Sequence, residues 1–286
     1  LEIGYCHVEY VNQSEPNTPG NNSGGGDGIQ LNGRYDGYHI HHTIIDRNVD
    51  SIGNKYCLLV DQAATSPVLD GGIIEYCTFK HNANVLGGVI LGHNLNTIIR
   101  YNTFEGPYGG EGGLKLSGGS CQGTLIYGNK FYNIAGKGIT LGYSYSGSGN
   151  WGPSIGTKIY NNVFYNLSAY GTNWGCIWNE RTAAECKNNI FHMDGNNSVA
   201  FTNFNGAVWT LSNNCFDALT SVGNSGQGTN AVVANPLFVD ASNKDFHLTA
   251  ASPCINAGVY VNITKDFDGV NIPQGAAPDI GAFEFI

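Results

Sequence analysis

A lysine stands in the middle of a short alternating segment, Gly113-Leu114-Lys115-Leu116, with an apolar residue on each side. Neighbouring side chains of an extended strand point to opposite faces, so leucines that face a core place Lys115 on the outer face. A lysine can act as a general base when burial or neighbouring groups depress its pKa. Lys115 is therefore the first candidate for catalysis. The alternative is an exposed lysine on a solvated sheet.

Three acidic residues border strand segments that we expect on the same face, namely Asp27, Asp61 and Glu180. Two carboxylates roughly 5 Å apart suit a retaining glycoside hydrolase, and a separation of about 6.5–9.5 Å suits an inverting one. Asp27 and Asp61 border neighbouring repeats and are the catalytic pair that could converge. Asp27-Gly28 is equally compatible with an ordinary turn.

Aromatic residues are concentrated in one part of the chain, at Tyr143, Tyr145, Trp151, Trp174 and Trp178. Exposed rings can stack on sugar faces while the polar groups of the sugar stay in water. The predicted substrate-binding residues are Tyr143, Trp151, Trp174, Trp178, Gln30 and Glu180. The alternative is that the aromatic rings pack loops onto the body of the protein.

Two other groups have side chains that bind metals. In the run His39, His41 and His42, strand alternation sends His42 to the core and its neighbours outward, with no acidic partner at ligand spacing. We therefore predict no metal site there. Three carboxylates near the C-terminus, Asp266, Asp268 and Asp279, could hold a structural Ca²⁺, and turn capping is the alternative.

A repeat must position these candidates, and it is clearest where TIIRYNTF (97–104) is followed by TLIYGNKF (124–131). Alignment on the last residue of that unit gives an apolar row of Val8, Ile44, Phe79, Phe104, Phe131, Phe164, Phe191 and Phe216. Two places earlier the row reads Cys6, His42, Cys77, Asn102, Asn129, Asn162, Asn189 and Asn214. Asparagine tolerates left-handed backbone geometry and suits a bend between strands. Stacked amides can also hydrogen-bond between repeats.

A second row occurs once per repeat, and its middle residues are Gln30, Leu59, Ile90, Lys115, Thr140 and Trp178. Short alternating strands with Gly and Asn at the corners, about 25 residues per repeat, predict an all-β fold. The predicted architecture is a parallel β-helix of about eight coils over residues 1–231. The second row should face solvent, and the insertions 12–26, 62–69, 143–154 and 179–185 should wall a groove around Lys115.

From about residue 232 the repeat ends, and residues 232–286 are predicted to cap the same domain. The segments NPLF (235–238), SPCINAG (252–258) and DIGAFE (279–284) resemble the closing part of secreted right-handed parallel β-helix proteins of the pectate-lyase-like superfamily. That superfamily contains polysaccharide lyases, glycoside hydrolases and surface proteins. The resemblance covers nearly the whole chain for the fold, and it implies export and a polysaccharide partner.

The segment GLKLSGG (113–119) is similar to the strand that carries the base lysine in one pectate lyase family. The resemblance thus implies that Lys115 abstracts a proton next to a uronate carboxylate. The calcium site of that family uses several aspartates. Only Asp61 and Glu111 lie near the matching positions here, so that site is not matched.

Composition narrows the function classes. Charged residues make up 12% of the chain and the net charge is −9, which argues against a nucleic-acid partner. Glycine contributes 41 of 286 residues, and glycine disfavours helices. The cysteines have no CxxC spacing. Cys6, Cys57, Cys77 and Cys254 are interpreted as buried thiols, and a Cys176–Cys186 disulfide is a further hypothesis that would agree with export.

The sequence therefore favours an extracellular or cell-surface protein that binds or acts on a polysaccharide. If the protein is an enzyme, a polysaccharide lyase is favoured over a glycoside hydrolase, with no cofactor assigned and Ca²⁺ as an option. The alternatives are a non-catalytic glycan-binding module and a structural or adhesive protein whose rod is the function. In the last case the rod would associate with itself or belong to a larger chain extending before Leu1.

Overall fold

A computed structural model describes residues 1–9, 28–32, 35–47, 56–61, 69–81, 87–106, 112–117, 121–143, 154–167, 175–180, 182–193, 199–204 and 206–286. The strands are β1 (Glu2–Gly4), β2 (His7–Glu9), β3 (Ile29–Asn32), β4 (His39–His41), β5 (Ile44–Arg47), β6 (Tyr56–Asp61), β7 (Leu69–Asp70), β8 (Ile73–Glu75), β9 (Thr78–His81), β10 (Gly87–Gly92), β11 (Asn94–Leu95), β12 (Ile98–Arg100), β13 (Thr103–Glu105), β14 (Leu114–Ser117), β15 (Leu125–Tyr127), β16 (Lys130–Tyr132), β17 (Ile139–Tyr143), β18 (Thr157–Tyr160), β19 (Val163–Tyr165), β20 (Gly175–Glu180), β21 (Ala183–Lys187), β22 (Ile190–His192), β23 (Val199–Phe204), β24 (Val208–Ser212), β25 (Cys215–Asp217), β26 (Ser221–Gly223), β27 (Val232–Val233), β28 (Phe238–Asp240) and β29 (Asp245–Leu248). A 3₁₀ helix spans Ala241–Asn243. Within the described ranges, no helix has the length and apolarity needed to cross a membrane.

Three long sheets run along the molecule, and each coil gives one strand to each sheet. Sheet A has the order β1-β4-β8-β12-β15-β18-β21-β24, sheet B the order β2-β5-β9-β13-β16-β19-β22-β25-β27, and sheet C the order β3-β6-β10-β14-β17-β20-β23-β26. Neighbouring strands pair in parallel, as in β12 with β15 and β10 with β14. The predicted parallel β-helix is confirmed, with eight coils. We expect the β-helix to be right-handed, because parallel crossover connections are right-handed in about 98% of cases.

A row of stacked phenylalanines fills the interior beside sheet B. The rings of Phe79, Phe104, Phe131, Phe164, Phe191 and Phe216 follow one another at centroid distances of 4.5–5.4 Å. Each coil thereby covers the apolar surface of the coil before it. This contact between successive coils is what makes a solenoid stable, because a single coil cannot bury its own core.

The predicted alignment is wrong by one residue in the second coil. Strand pairing places Ile45, not Ile44, opposite Val8 and Phe79. Ile45 is fully buried, whereas Ile44 is 40% exposed. His42 is therefore outside the core as well: it is exposed, has φ +47°, and forms the corner between β4 and β5.

Asparagine amides connect the coils inside the bend between sheets A and B. Each Nδ2 donates to the Oδ1 of the next residue at 2.9–3.0 Å in the series Asn102, Asn129, Asn162, Asn189 and Asn214. We call this series the asparagine stack. Its members are fully buried. The left-handed residue is the one before each of them, for example Asn161 at φ +50° and Asn188 at φ +57°, so the predicted bend lies one residue earlier.

The C-terminal segment extends sheet B and then returns along the outside of the rod. Strand β27 pairs with β25, and Phe246, Ile280 and Phe283 pack with Val163 and Ile190. Polar contacts fix the segment to the coils, including a hydrogen bond of 2.8 Å from Asn188 Nδ2 to the carbonyl of Val259.

Two of the three carboxylates considered for calcium, Asp266 and Asp279, bind backbone amides. Asp266 accepts hydrogen bonds from the N–H groups of Asp268, Val270 and Glu284 at 2.7–2.9 Å. Asp279 accepts from Asn256 at 2.6 Å and Phe285 at 2.7 Å. Burial raises the pKa of both carboxyls, although the backbone donors act against this rise. Turn capping is what these two aspartates do in this structure.

The Cys176–Cys186 disulfide is not formed. Cys176 and Cys186 are both free thiols, in strand β20 of sheet C and strand β21 of sheet A. Both are buried, and burial raises the pKa of each thiol. A thiol of this kind is a small apolar core residue with low reactivity.

An ion pair between Glu105 and Lys244 gives a pH-dependent prediction. Burial raises the pKa of the Glu105 carboxyl, but hydrogen bonds from Lys244 and Tyr132 outweigh it, so the pKa is lowered overall. A lowered native pKa stabilises the fold above the unfolded value of about 4.3, and this stability is lost as the pH falls through the native value. We expect Glu105→Gln to lower the free energy of unfolding by roughly 0.5–1 kcal/mol at pH 7, and by less at pH 3.

Urea unfolding of the wild type and the variant at both pH values measures this difference. Lys244→Met serves as the matched partner variant, because Lys244 Nζ lies 2.5 Å from Glu105 Oε1. The double variant should lose no more stability than either single variant. A difference that is the same at both pH values would show that the pair does not carry the effect.

Candidate functional site

Strand pairing in sheet C aligns the second row of the sequence. Successive partners are Gln30, Leu59, Ile90, Lys115, Thr140 and Trp178. The flanking residues Leu114 and Leu116 belong to the core, so Lys115 points to the outer side of the sheet. These residues form a row of register partners across six coils, and Lys115 lies near the centre of the row.

The sequence predicts that this row faces solvent, but the outer side of the row is only partly open to solvent. Gln30 is exposed, but only 8% of Ile90, 6% of Lys115 and 1% of Thr140 are accessible. Trp178, further along, is half-buried. The prediction of a solvent-facing row is therefore wrong in the middle, because alternation determines the side of a strand and not what covers it.

Most of the segments predicted to wall a groove around Lys115 lie outside the described residues, namely 12–26, 62–68 and 144–153. The segment 179–185 is described apart from residue 181. It is a tight connection in which β20 ends at Glu180 and β21 begins at Ala183. The amide of Asn179 closes it, with Nδ2 3.1 Å from the carbonyl of Thr182 and Oδ1 3.2 Å from its N–H. The described residues of this segment therefore lie in two strands and the bonds that join their ends, and do not form a wall.

A second buried lysine lies on the same side of the sheet. Lys137 is buried, and its Nζ lies 4.1 Å from the centre of the Trp178 ring. A cation over an indole face is stabilised by about 0.5–2 kcal/mol, more where water is excluded. The backbone here is close-packed: a Cβ on Gly112, which has φ +93°, would meet the carbonyl oxygen of Lys137 at 1.8 Å. Sequence reasoning missed Lys137, although it directly precedes the repeat segment 138–141.

The remaining candidates are placed in part. Glu180 is half-buried at the end of the strand that carries Trp178, on the same face by alternation. Asp61 ends β6 opposite Asn32, and its side chain lies outside the description. Tyr143 ends β17 with its side chain likewise outside it. Asp27, Tyr145, Trp151 and Trp174 also lie outside the described residues, so the predicted pair of Asp27 and Asp61 stays a prediction.

The structure therefore brings Lys115, Lys137, Trp178 and Glu180 to one face of sheet C. We call this group the sheet C site. It combines two lysine amines, an aromatic ring and a carboxylate on coils about 4.8 Å apart. Lysine amines suit an anionic ligand, and the aromatic ring suits the apolar face of a sugar.

Comparison with protein-family models and with curated proteins found no match. Among solved structures, a pectate lyase, Pel9A, is similar with 13% identity and a TM-score of 0.49, covering 100% of this chain and 87% of that one. An alginate lyase from Paenibacillus sp. str. FPU-7 is similar with 16% identity and a TM-score of 0.39, covering 73% of this chain and 88% of that one. At these identities the likeness is one of fold. The three parallel sheets confirm the predicted parallel β-helix fold.

Proposed function

We propose that this protein binds an acidic polysaccharide along the outer face of sheet C and cleaves it by β-elimination. Lys115 takes the proton from the carbon next to the uronate carboxylate. The electron pair of that C–H bond forms a carbon–carbon double bond as the neighbouring glycosidic C–O bond breaks, and the leaving oxygen gains a proton. The products are a new chain end and an unsaturated sugar.

The observation that carries the proposal is the position of Lys115. It is a lysine buried on the outer side of a strand, between its register partners Ile90 and Thr140. Enzymes use lysine as a general base in sites that shelter its amine from water. A lysine on a merely solvated sheet would be exposed.

A second lysine in the sheet C site, Lys137, supports an anionic substrate. A chain with a net charge of −9 repels a polyanion unless positive charge is concentrated where the polymer binds. Lys137 supplies such a charge, and the Trp178 ring beside it offers a surface for the C–H face of a sugar. Glu180 and Gln30 give polar groups on the same face for sugar hydroxyls. Because polymers of this kind occur outside cells, the proposal includes an extracellular or cell-surface location.

The test is an assay against polygalacturonate, alginate and chondroitin sulfate, each with and without Ca²⁺, following the ultraviolet absorbance of the unsaturated product. We expect absorbance to rise with at least one of these polymers and to stay flat with dextran, which has no carboxylate. New reducing ends without absorbance would indicate hydrolysis and overturn β-elimination. Silence across the panel would also overturn it; binding that Trp178→Ala abolishes would then support the non-catalytic glycan-binding alternative.

A further inference from the structure

Three potential metal ligands meet on the outer face of sheet A, in the first two coils and on a different sheet from the sheet C site. One carboxylate oxygen of Glu2 and one ring nitrogen each of His39 and His41 all lie within 4.8 Å of one another. The two histidines are two residues apart in β4 and so share a face. Glu2 is the register partner of His39 on β1. The prediction that no acidic partner lies near these histidines is wrong, because coil stacking brings Glu2 from the preceding coil.

A glycine makes room for this arrangement. Gly4 is the register partner of His41, and a Cβ there would lie 2.3 Å from Cε1 and 2.4 Å from Nε2 of the His41 ring. The missing side chain lets the imidazole lie across β1. In that position His41 Nε2 reaches Glu2 Oε1 at 3.0 Å.

Neighbouring groups hold both rings by their other contacts. His39 Nε2 lies 2.9 Å from Glu75 Oε1, and Arg100 Nε donates to Glu75 Oε2 at 2.6 Å. His41 Nδ1 lies 3.0 Å from Nδ1 of His42. A carboxylate that accepts the N–H of a ligating histidine fixes its tautomer and orientation and leaves the other nitrogen with a lone pair for the metal.

We propose that Glu2, His39 and His41 form a binding site for a divalent transition-metal ion of the zinc class. Two imidazoles and one carboxylate are one of the protein donor sets of three-ligand zinc sites, which keep a further position open. Ligand bonds of about 2.0–2.2 Å in a tetrahedral arrangement place ligand atoms roughly 3.3–3.6 Å apart, and the three candidate atoms lie within 4.8 Å of one another. Ca²⁺ and Mg²⁺ prefer all-oxygen sites, so two imidazoles select against them.

The test is isothermal titration of the full chain, freed of metal by chelator, with ZnCl₂. We expect one Zn²⁺ per chain, and at least roughly a tenfold loss of affinity in each of His39→Ala, His41→Ala and Glu2→Gln. Titration with CoCl₂ should give the intense visible bands of a site with fewer than six ligands. MgCl₂ should produce no heat.

Two controls keep the result interpretable. The Glu2 side chain is 72% exposed, so Glu2→Gln leaves the packing unchanged even if a histidine variant unfolds. His247→Gln removes a histidine that contacts Asp245 and Asp268 but is outside the three-ligand group, and it should bind zinc like the wild type. Absence of zinc binding by the wild type, or binding unchanged in Glu2→Gln and both alanine variants, would overturn the proposal. Neither result bears on Lys115 and the sheet C site.

Discussion

Replacement of Lys115 by methionine lowers the turnover number for polysaccharide cleavage by roughly 10²–10⁴-fold, the usual contribution of a general base, and changes KM much less. The reason is that the amine accepts the proton in the transition state and contributes little to the binding of the polymer before that step. Methionine keeps the length and the apolar stem of the buried side chain while it removes the proton acceptor. The measurement is the rate of absorbance change on the best polymer of the panel.

Two lysine variants show whether the effect belongs to Lys115. Lys158→Met changes an exposed lysine on β18 of sheet A and should leave both constants unchanged. Lys137→Met removes the cation beside Trp178 and should raise KM more than it lowers the turnover number, because we assign that charge to binding. Circular dichroism confirms that each variant is folded. A fully active Lys115→Met variant would remove Lys115 from the mechanism, whatever the other variants do.

The fold could be predicted because its regularities are local. Alternation in strands of three or four residues assigns each side chain to a face, and this is why Leu114 and Leu116 were placed inside and Lys115 outside. Recurrence of Asn and Phe at a near-constant spacing then shows that one coil stacks on the next. Neither inference needs any knowledge of distant contacts.

The wrong predictions concern features that depend on the pairing of one coil with another. In the second coil neither Asn nor Phe marks the register, so Ile44 was chosen although Ile45 fits the row between Val8 and Phe79. Glu2 meets His39 only because β1 pairs with β4. Lys115 is buried although alternation places it on the outer side of the sheet, and the pattern of a single strand does not predict such burial. Sites on a solenoid are thus harder to predict than its coils.

Asn162→Ala is expected to reduce the free energy of unfolding by roughly 2–4 kcal/mol, because it leaves buried polar groups without partners. Nδ2 of Asn162 donates to the carbonyls of Ile126 and Tyr160 at 3.0 and 2.9 Å and to Oδ1 of Asn189 at 2.9 Å. Its Oδ1 accepts the backbone N–H of Asn129 at 2.9 Å. Alanine makes none of these bonds, and the site is fully buried, so water does not replace them.

The matched control is Asn243→Ala, at an exposed asparagine in the 3₁₀ turn whose side-chain amide donates to Oδ2 of Asp240 at 2.7 Å. It should change stability by less than about 0.5 kcal/mol in the same guanidinium titration. Because each coil of a solenoid contacts only its neighbours, the loss in Asn162→Ala should be local. Hydrogen exchange should therefore accelerate most in β15, β18 and β21, and least in β1 and β4. Equal stability losses at Asn162 and Asn243 would mean that the phenylalanine row alone holds the coils together and that the asparagine stack adds no stability.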